Sequence, residues 1–404
     1  MFNFVVDRLI KGRPYPNLAQ HPAEPYTPAW REFGQYSPYT VPLELINHCE
    51  QHGYPFELVT TGEYIHSKDT RQHWYPIQFG FFSFELDYIL LLPPEVRLLL
   101  ADTAYNLRIL FYYHEGDNPE RIKQRLDYLC EQNKIPKNSY RSVSGNTAAD
   151  AIENSIHFND HELLYYLRNK SHEKFFKTGA LRRDARFLCL TRTHKWWRAT
   201  VVADLVRAGL LDGSLWSYNT LITVDDSYDN NPIEVDTLAL RDDLTAFVNA
   251  GPYRCDDLDS TQHNDHSLHS PELFDSTYCS IILETLFDCD GSGGAFLTEK
   301  TFKCLKHGHP FIIVGAAGSL AALRSLGYRT FDHVIDNSYD LIRDNTLRYL
   351  AVRSTIAQIA ALSPAELDEW LAACRADLEH NSRLFLASKW DRLNRLQERL
   401  NHGK

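Results

Sequence analysis

A glutamate and a lysine stand next to each other in Thr298-Glu299-Lys300-Thr301, a polar cluster that opens a predicted helix reaching Leu305. A carboxylate in the first turn of a helix can accept hydrogen bonds from a ribose diol. An ammonium there can pair with a diphosphate that also meets the positive end of the helix dipole. On the spacing alone, we favour the simpler interpretation that Glu299 only complements the helix dipole and that Lys300 is a solvated charge.

Two short apolar runs flank this helix and predict the elements that position it. Cys279–Leu283 and Pro310–Gly315 are rich in β-branched residues and bounded by turn residues, which is typical of buried parallel strands. Strand, loop, helix and strand together form one βαβ unit of a doubly wound sheet. Such a sheet binds ligands at the carboxyl ends of its strands, so Glu299 and Lys300 are predicted to lie at the mouth of the sheet.

The amino-acid sequence of this stretch resembles that of a known family. Glu284-Thr285, the run from Thr298 to Lys303, Gly308-His309-Pro310-Phe311 and Gly315-x-x-Gly318 are similar, in this order, to the donor-binding half of fucosyltransferase-like glycosyltransferases. The resemblance covers about sixty residues closely. It implies a nucleotide-sugar-dependent transferase with two Rossmann-like domains facing a cleft (the GT-B type), in which Glu299 contacts the donor ribose and Lys300 its phosphates.

Further donor-site candidates lie where other strands are predicted to end. Arg192 directly follows the apolar run of residues 186–191, and the resembling families carry an arginine in this loop that neutralises the leaving group. Arg198 lies within the next helix, where it could equally be a surface charge. Glu284 ends its strand, and either caps a helix or contacts the ligand; because Thr285 follows and the resembling families share the pair, we favour the ligand contact.

Three more residues are weaker candidates at the same edge. Tyr218 and Asn219 could line the pocket of the nucleotide base or be ordinary loop residues. Gly315 lets the chain turn tightly into the next helix, a role that requires no ligand.

Transfer of a sugar with inversion requires a base near the acceptor hydroxyl. The N-terminal half offers Glu115 after the apolar run of residues 107–113, and its neighbours His114 and Asp117 could do the same work. The alternative is a polar loop with a turn glycine.

No metal is predicted to be required, and we expect no cofactor besides the donor. Asp225-Asp226 and Asp288-x-Asp290 only superficially resemble the D-x-D signature of metal-dependent transferases. His157 and His161 stand four residues apart, a spacing that could share a metal on a helix, but they lack the glutamate of the H-E-x-x-H pattern and an obvious third ligand, so we favour surface histidines.

Composition limits the classes of protein. The chain has 404 residues, 44% of them apolar and 24% charged, which suits two globular domains. A net charge of −11 makes a general nucleic-acid surface less plausible than a nucleotide-sugar and glycan partner. No run approaches the roughly eighteen apolar residues of a membrane span, and the N-terminus lacks a signal-peptide pattern. We therefore expect a soluble cytoplasmic protein.

Strands and helices alternate along the chain, as in an α/β protein with parallel sheets. In the first half, the patterns predict strands at Phe2–Val6, Phe56–Thr60, Asp87–Leu92, Leu107–Tyr113 and Tyr140–Val143. They predict helices at Pro42–Gly53, Pro94–Asp102 and Pro119–Asn133. The second half predicts a strand at Arg186–Thr191, a helix at Trp196–Gly209, a long surface excursion at Asp225–Ser276 and a capping box at Ser363-Pro364-x-Glu366.

These patterns predict four segments. Residues 1–150 form an acceptor domain, 151–183 a crossing, 184–360 the donor domain, and 361–404 a helical tail that by resemblance braces the N-terminal domain. We expect a glycosyltransferase acting on a hydroxyl acceptor. The alternatives are a phage-type transferase for modified DNA bases and a binding module of the same fold without turnover.

Overall fold

The structure is a computed structural model of the chain. It describes residues 1–6, 9–10, 13–14, 44–67, 69–78, 84–113, 116–163, 183–220, 228–255, 271–288, 294–387 and 389–402. The chain divides into two compact units. Unit 1 consists of Met1–Leu163 and Ser388–Lys404, and unit 2 of Leu164–Ala387. No helix of the described residues is long and apolar enough to cross a membrane.

Unit 1 contains a six-stranded sheet in which every neighbouring pair is parallel. Its strands are β1 (Phe2–Val6), β4 (Phe56–Thr60), β5 (His73–Gln78), β6 (Leu107–Tyr112), β7 (Tyr140–Ser144) and β8 (Ser155–His157), in the order β4-β1-β5-β6-β7-β8. The short pair β2 (Leu9–Ile10) and β3 (Arg13–Pro14) is antiparallel.

Both faces of this sheet are buried. Along β6, Ile109 and Phe111 belong to one apolar cluster, while Leu110 and Tyr112 belong to another. Successive side chains of a strand point to opposite faces, so each cluster covers one face. The helices of unit 1 are α1 (Glu44–His52), α2 (Thr61–Ser67), α3 (Pro94–Ala101), α4 (Pro119–Gln132) and, from the end of the chain, the helix Trp390–His402.

Unit 2 contains a four-stranded parallel sheet in the order β10-β9-β11-β12. Its strands are β9 (Ala185–Thr191), β10 (Leu215–Tyr218), β11 (Thr277–Leu283) and β12 (Phe311–Val314). Its helices are α5 (Trp196–Arg207), α6 (Arg241–Ala250), α7 (Pro271–Asp275), α8 (Glu299–His307), α9 (Ser319–Ser325), α10 (Asn345–Ala360) and α11 (Pro364–Leu386). We label the final helix, Trp390–His402, α12. The α/β class with two parallel sheets is therefore as predicted.

The predicted capping box at the start of α11 is confirmed. The side chain of Ser363 accepts a hydrogen bond from the backbone N–H of Glu366, and the Glu366 carboxylate accepts one from the backbone N–H of Ser363. Pro364 occupies the first turn, as expected for a residue without an N–H to satisfy.

One predicted strand is wrong, and a strand in the interior of the unit 1 sheet was not predicted. Asp87–Leu92 forms turns, because the carboxylate of Asp87 accepts hydrogen bonds from the backbone N–H groups of Ile89 and Leu90. The strand that pairs with β6 is instead β5. The sequence alone argues against a strand there, because Pro76 lacks the backbone N–H that a strand in the interior of a sheet donates.

The segment boundaries also differ from the predicted ones. β8 lies within the predicted crossing of residues 151–183 and is one of the two edge strands of the unit 1 sheet. Residues 164–182 are outside the described part of the chain. The predicted tail of residues 361–404 divides in two. α11 packs on α8 and buries Leu367, Trp370 and Cys374 in the core of unit 2, whereas only α12 belongs to unit 1.

The predicted surface excursion contains a helix. α6 lies within residues 225–276, and its Leu244 is fully buried in the core of unit 2. Residues 225–227 and 256–270 fall outside the described residues.

Candidate functional site

The carboxyl ends of β9 and β11 meet at one edge of the unit 2 sheet, because the strands are parallel neighbours. After β9, residues 192–195 lead into α5; after β11, the chain leads to α8. The predicted polar cluster therefore lies at the strand ends, in the first turn of a helix that begins at Glu299. Here a parallel α/β sheet offers a ligand site.

Glu284, the first residue after β11, caps the start of α8. Its buried carboxylate accepts hydrogen bonds from the hydroxyls of Thr298 and Thr301, each at 2.6 Å, and from the backbone N–H groups of Thr298 and Thr285, each at 3.2 Å. The ligand contact that the sequence favours for Glu284 is therefore wrong. The carboxylate instead joins the end of the strand to the N-terminus of the helix, which its negative charge also stabilises.

Lys300 points its ammonium into a cluster of oxygens beside this cap. Its Nζ donates to the hydroxyls of Thr285 and Thr298, both at 3.0 Å, and lies 3.5 Å from a carboxylate oxygen of Glu299 and 4.0 Å from one of Glu284. The Lys300 side chain is 27% exposed, against 10% for Glu299. Thr285 and Thr298 thus hold a partly exposed ammonium in place at the edge of the sheet.

Sequence reasoning missed two more lysines at this edge. The Nζ of Lys195 donates to the carbonyl oxygen of Thr285 at 3.0 Å. Burial lowers the pKa of Lys303, the charge of Glu299 opposes that change, and the charges of Lys300 and Arg192 lower the pKa further. The spacing of Lys300 and Lys303 could have revealed Lys303, since residues three apart share a helix face. No local sequence signal points to Lys195.

The two arginines have different environments. Arg192 is half-buried directly after β9, and its charge contributes to the lowered pKa of Lys303. Arg198 is buried, and its guanidinium donates to the carbonyl oxygens of Thr193 at 3.2 Å and Glu284 at 2.8 Å. Arg198 therefore joins the loop after β9 to the end of β11, which is a positioning role.

Tyr218 has a structural environment. Its side chain is completely buried, with its hydroxyl 2.7 Å from Nδ1 of His194 and donating to the carbonyl oxygen of Lys195 at 3.3 Å. It supports the loop that carries Lys195 and offers no open surface to a base. Asn219 is also buried, and its backbone N–H donates to the carbonyl oxygen of Thr191 at 2.9 Å.

Gly315 lies where the end of β12 passes close to Glu284. A Cβ built on Gly315 would lie 3.3 Å from Cβ of Glu284 and 3.2 Å from Oγ of Ser319. Its carbonyl oxygen accepts a hydrogen bond from Nε of Arg348 at 3.0 Å. The glycine thus permits close approach of two strand ends, in addition to the turn that the sequence predicts.

The proposed bases belong to unit 1. His114 and Glu115 lie outside the described residues. Asp117 is half-buried before α4, and its charge adds to burial in raising the pKa of Tyr113. The assignment of a base among these three residues stays a prediction.

Among the described residues, no group of three or more His, Cys, Asp or Glu side chains could hold a metal ion. His157 ends β8 and is not on a helix with His161, so their spacing does not place them on one helix face. Asp225, Asp226 and Asp290 fall outside the described residues.

Comparisons with known proteins give little to set beside this geometry. No family model and no curated protein matches the chain. Among solved structures, it is similar to the N-terminal domain of trehalose-6-phosphate phosphatase from Candida albicans, with 11% identity, a TM-score of 0.39, and coverage of 95% of this chain and 82% of that one. A likeness this low carries no argument about fold or function.

Proposed function

We propose that the chain is a glycosyltransferase that moves a sugar from a nucleotide-sugar donor to an acceptor hydroxyl. We further propose the two-Rossmann, GT-B type, with inversion, without a required metal, and acting in the cytoplasm. The supporting observation is the partly exposed ammonium of Lys300, which Thr285 and Thr298 hold beside Glu299 at the carboxyl edge of a parallel sheet. The resemblance of this stretch to fucosyltransferase-like enzymes supports the same assignment.

The roles follow from the chemistry of each group. Lys300 and Arg192 carry positive charge for the donor diphosphate, and the Glu299 carboxylate accepts hydrogen bonds from the ribose hydroxyls. Glu284 and Arg198 fix the two loops from which these groups project. Preorganised positive charge matters most when the sugar leaves, because the diphosphate then gains negative charge.

In the proposed displacement, the acceptor oxygen attacks the anomeric carbon of the donor sugar while the bond to the diphosphate breaks. A base removes the proton of the acceptor hydroxyl. We propose that Glu115, or its neighbour His114 or Asp117, provides this base.

Nucleotide binding tests the donor site. We would measure thermal unfolding of wild type, Lys300→Ala and Arg375→Ala with GDP, UDP, ADP, CDP and their sugar conjugates. Arg375 is 56% exposed in unit 2 and serves as the control. A ligand at a hundred times its dissociation constant adds about 2.7 kcal/mol. We expect one base to stabilise wild type and Arg375→Ala but not Lys300→Ala.

Turnover tests the reaction. We would incubate the protein with the stabilising nucleotide sugar and measure nucleoside diphosphate release with glycan acceptors and with DNA. Release that depends on a glycan supports the proposal, and release that depends on DNA favours the phage-type reaction. Tight binding without release under any of these conditions would favour a binding module. Absence of any nucleotide binding would contradict the assignment of the donor site.

A further inference from the structure

Two lysines from different loops converge on one residue. Lys195, directly before α5, donates through Nζ to the carbonyl oxygen of Thr285 at 3.0 Å. Lys300, in the first turn of α8, donates through Nζ to the hydroxyl of the same residue at 3.0 Å. Hydrogen bonds to two atoms of one threonine bring the two ammonium groups to the same point of the sheet edge, although 105 positions separate them in the chain.

Four cationic side chains and two carboxylates take part in the contacts and charge interactions described for this edge. Arg192, Lys195, Lys300 and Lys303 are cationic, and Glu284 and Glu299 are carboxylates. Burial and the neighbouring positive charges lower the pKa of Lys303, against the opposing charge of Glu299. Crowded like charges raise the free energy of the protonated forms, so an anion bound here would be stabilised by removing that repulsion.

The order of the groups distinguishes the two lysines. Because Lys300 follows Glu299, which the proposed function assigns to the ribose, we assign Lys300 to the phosphate nearest the nucleoside. Lys195 contacts the same threonine from the loop after β9, and we assign it to the next phosphate. Each ammonium acts as a point charge on one phosphate group, unlike the forked guanidinium of an arginine.

We propose that Lys195 determines specificity at the donor site by making the site favour a diphosphate over a monophosphate. This inference rests on the proposed function, since it assumes that a nucleotide binds at this edge. Lys195 contacts the second phosphate and thereby distinguishes ligands that have one from ligands that lack one.

The test compares pairs of ligands that differ by one phosphate. We would measure the dissociation constants of GDP, UDP, ADP and CDP and of the matching monophosphates by calorimetry, for wild type, Lys195→Gln, Lys195→Arg and Arg375→Gln. We expect Lys195→Gln to weaken diphosphate binding about tenfold, a loss of about 1.4 kcal/mol, with less than a threefold change for the monophosphate. Lys195→Arg, which keeps the charge, should recover most of the preference, and Arg375→Gln should match wild type.

Two results would overturn the inference while leaving the donor site intact. If Lys195→Gln weakens both ligands equally, or lowers the melting temperature without changing the preference, then Lys195 only supports Thr285. If wild type binds a diphosphate no more tightly than its monophosphate, the site has no preference to explain. Absence of any nucleotide binding to wild type would instead overturn the proposed function, and this inference with it.

Discussion

The ammonium of Lys389 and the carboxylate of Glu162 lie 2.9 Å apart inside unit 1, although 227 positions separate them in the chain. Both side chains are almost completely buried, and Arg392 places its Nε 2.5 Å from the other oxygen of the same carboxylate. Glu162 stands where the chain leaves unit 1, and Lys389 where it returns. This buried carboxylate is therefore one of the contacts that join the two separate parts of unit 1.

Removing this carboxylate should be costly. Glu162→Gln removes the carboxylate that pairs with two buried cations, and we expect a loss of about 3 kcal/mol in the unfolding free energy of unit 1. Lys389→Met should cost less, because Arg392 still pairs with Glu162 and burial already lowers the pKa of Lys389. Urea unfolding measures both variants.

The control for this prediction is the exposed pair of Arg241 and Asp236, with side chains 68% and 63% exposed. Arg241→Ala should change stability by no more than about 0.5 kcal/mol. A Glu162→Gln variant as stable as Arg241→Ala would contradict the structural role of the buried carboxylate.

Unit 2 should lose stability in mild acid through His309. Burial lowers the pKa of His309 from 6.5 to about 3, and its Nε2 lies 2.8 Å from the carbonyl oxygen of Thr277 and its Nδ1 2.9 Å from the hydroxyl of Ser280. Between these two pKa values the unfolded chain binds the proton and the folded chain does not. The unfolding free energy therefore rises with pH across this window, and falls as pH decreases from 6.5 towards 3, by at most about 1.4 kcal/mol per pH unit.

Equilibrium unfolding at a series of pH values checks this slope. His309→Gln should flatten it, and His380→Gln, which changes a partly exposed histidine of the same unit, is the control. An unchanged slope in His309→Gln would show that other groups produce the acid sensitivity.

The cap on α8 depends on the hydroxyl of Thr301. This hydroxyl donates to the buried Glu284 carboxylate at 2.6 Å, and a hydrogen bond to a charged group contributes about 1.5–3 kcal/mol. Thr301→Val keeps the shape and removes the donor, so we expect a loss of stability in that range together with weaker nucleotide binding. Thr301→Ser keeps the hydroxyl and should lose much less. Equal losses in the two variants would indicate that the methyl group, and not the hydrogen bond, matters.

Gly315→Ala should disturb the approach of β12 to Glu284. The new Cβ would lie within 3.3 Å of three atoms, on Glu284, Ser319 and Ile313, and such overpacking costs about 1–3 kcal/mol. Gly62→Ala is the matched control, since nothing lies within 4 Å of its added Cβ and alanine favours a helix. Thermal unfolding of both variants should give opposite signs. A neutral Gly315→Ala would mean that the strand ends move apart without cost.

The sequence predicted those features of unit 2 that depend on neighbouring residues. The βαβ order placed Lys300 in the first turn of a helix at a strand end, because strand, loop and helix signals follow one another locally. The same local signals do not distinguish a helix cap from a ligand contact at Glu284, because a carboxylate directly after a strand is compatible with both.

Contacts between distant parts of the chain could not be predicted from the sequence. Lys195 meets Thr285 across 90 positions, and no spacing rule connects them. The packing of α12 was likewise expected only from the resemblance, and the structure identifies the residues involved, since Leu393, Leu396 and Leu400 pack in unit 1. The strand β5 was missed for a local reason, because Pro76 removes a backbone donor from its interior.

The return of α12 to unit 1 has a consequence for synthesis on the ribosome. Unit 1 combines residues 1–163 with residues 388–404, and all of unit 2 is encoded between these two parts. Domains generally fold as they emerge, starting from the N-terminus. Unit 2 is therefore synthesised completely before α12 of unit 1 is made. Until then, the apolar surface of unit 1 that Leu393, Leu396 and Leu400 cover stays exposed. The unit made first is the one finished last.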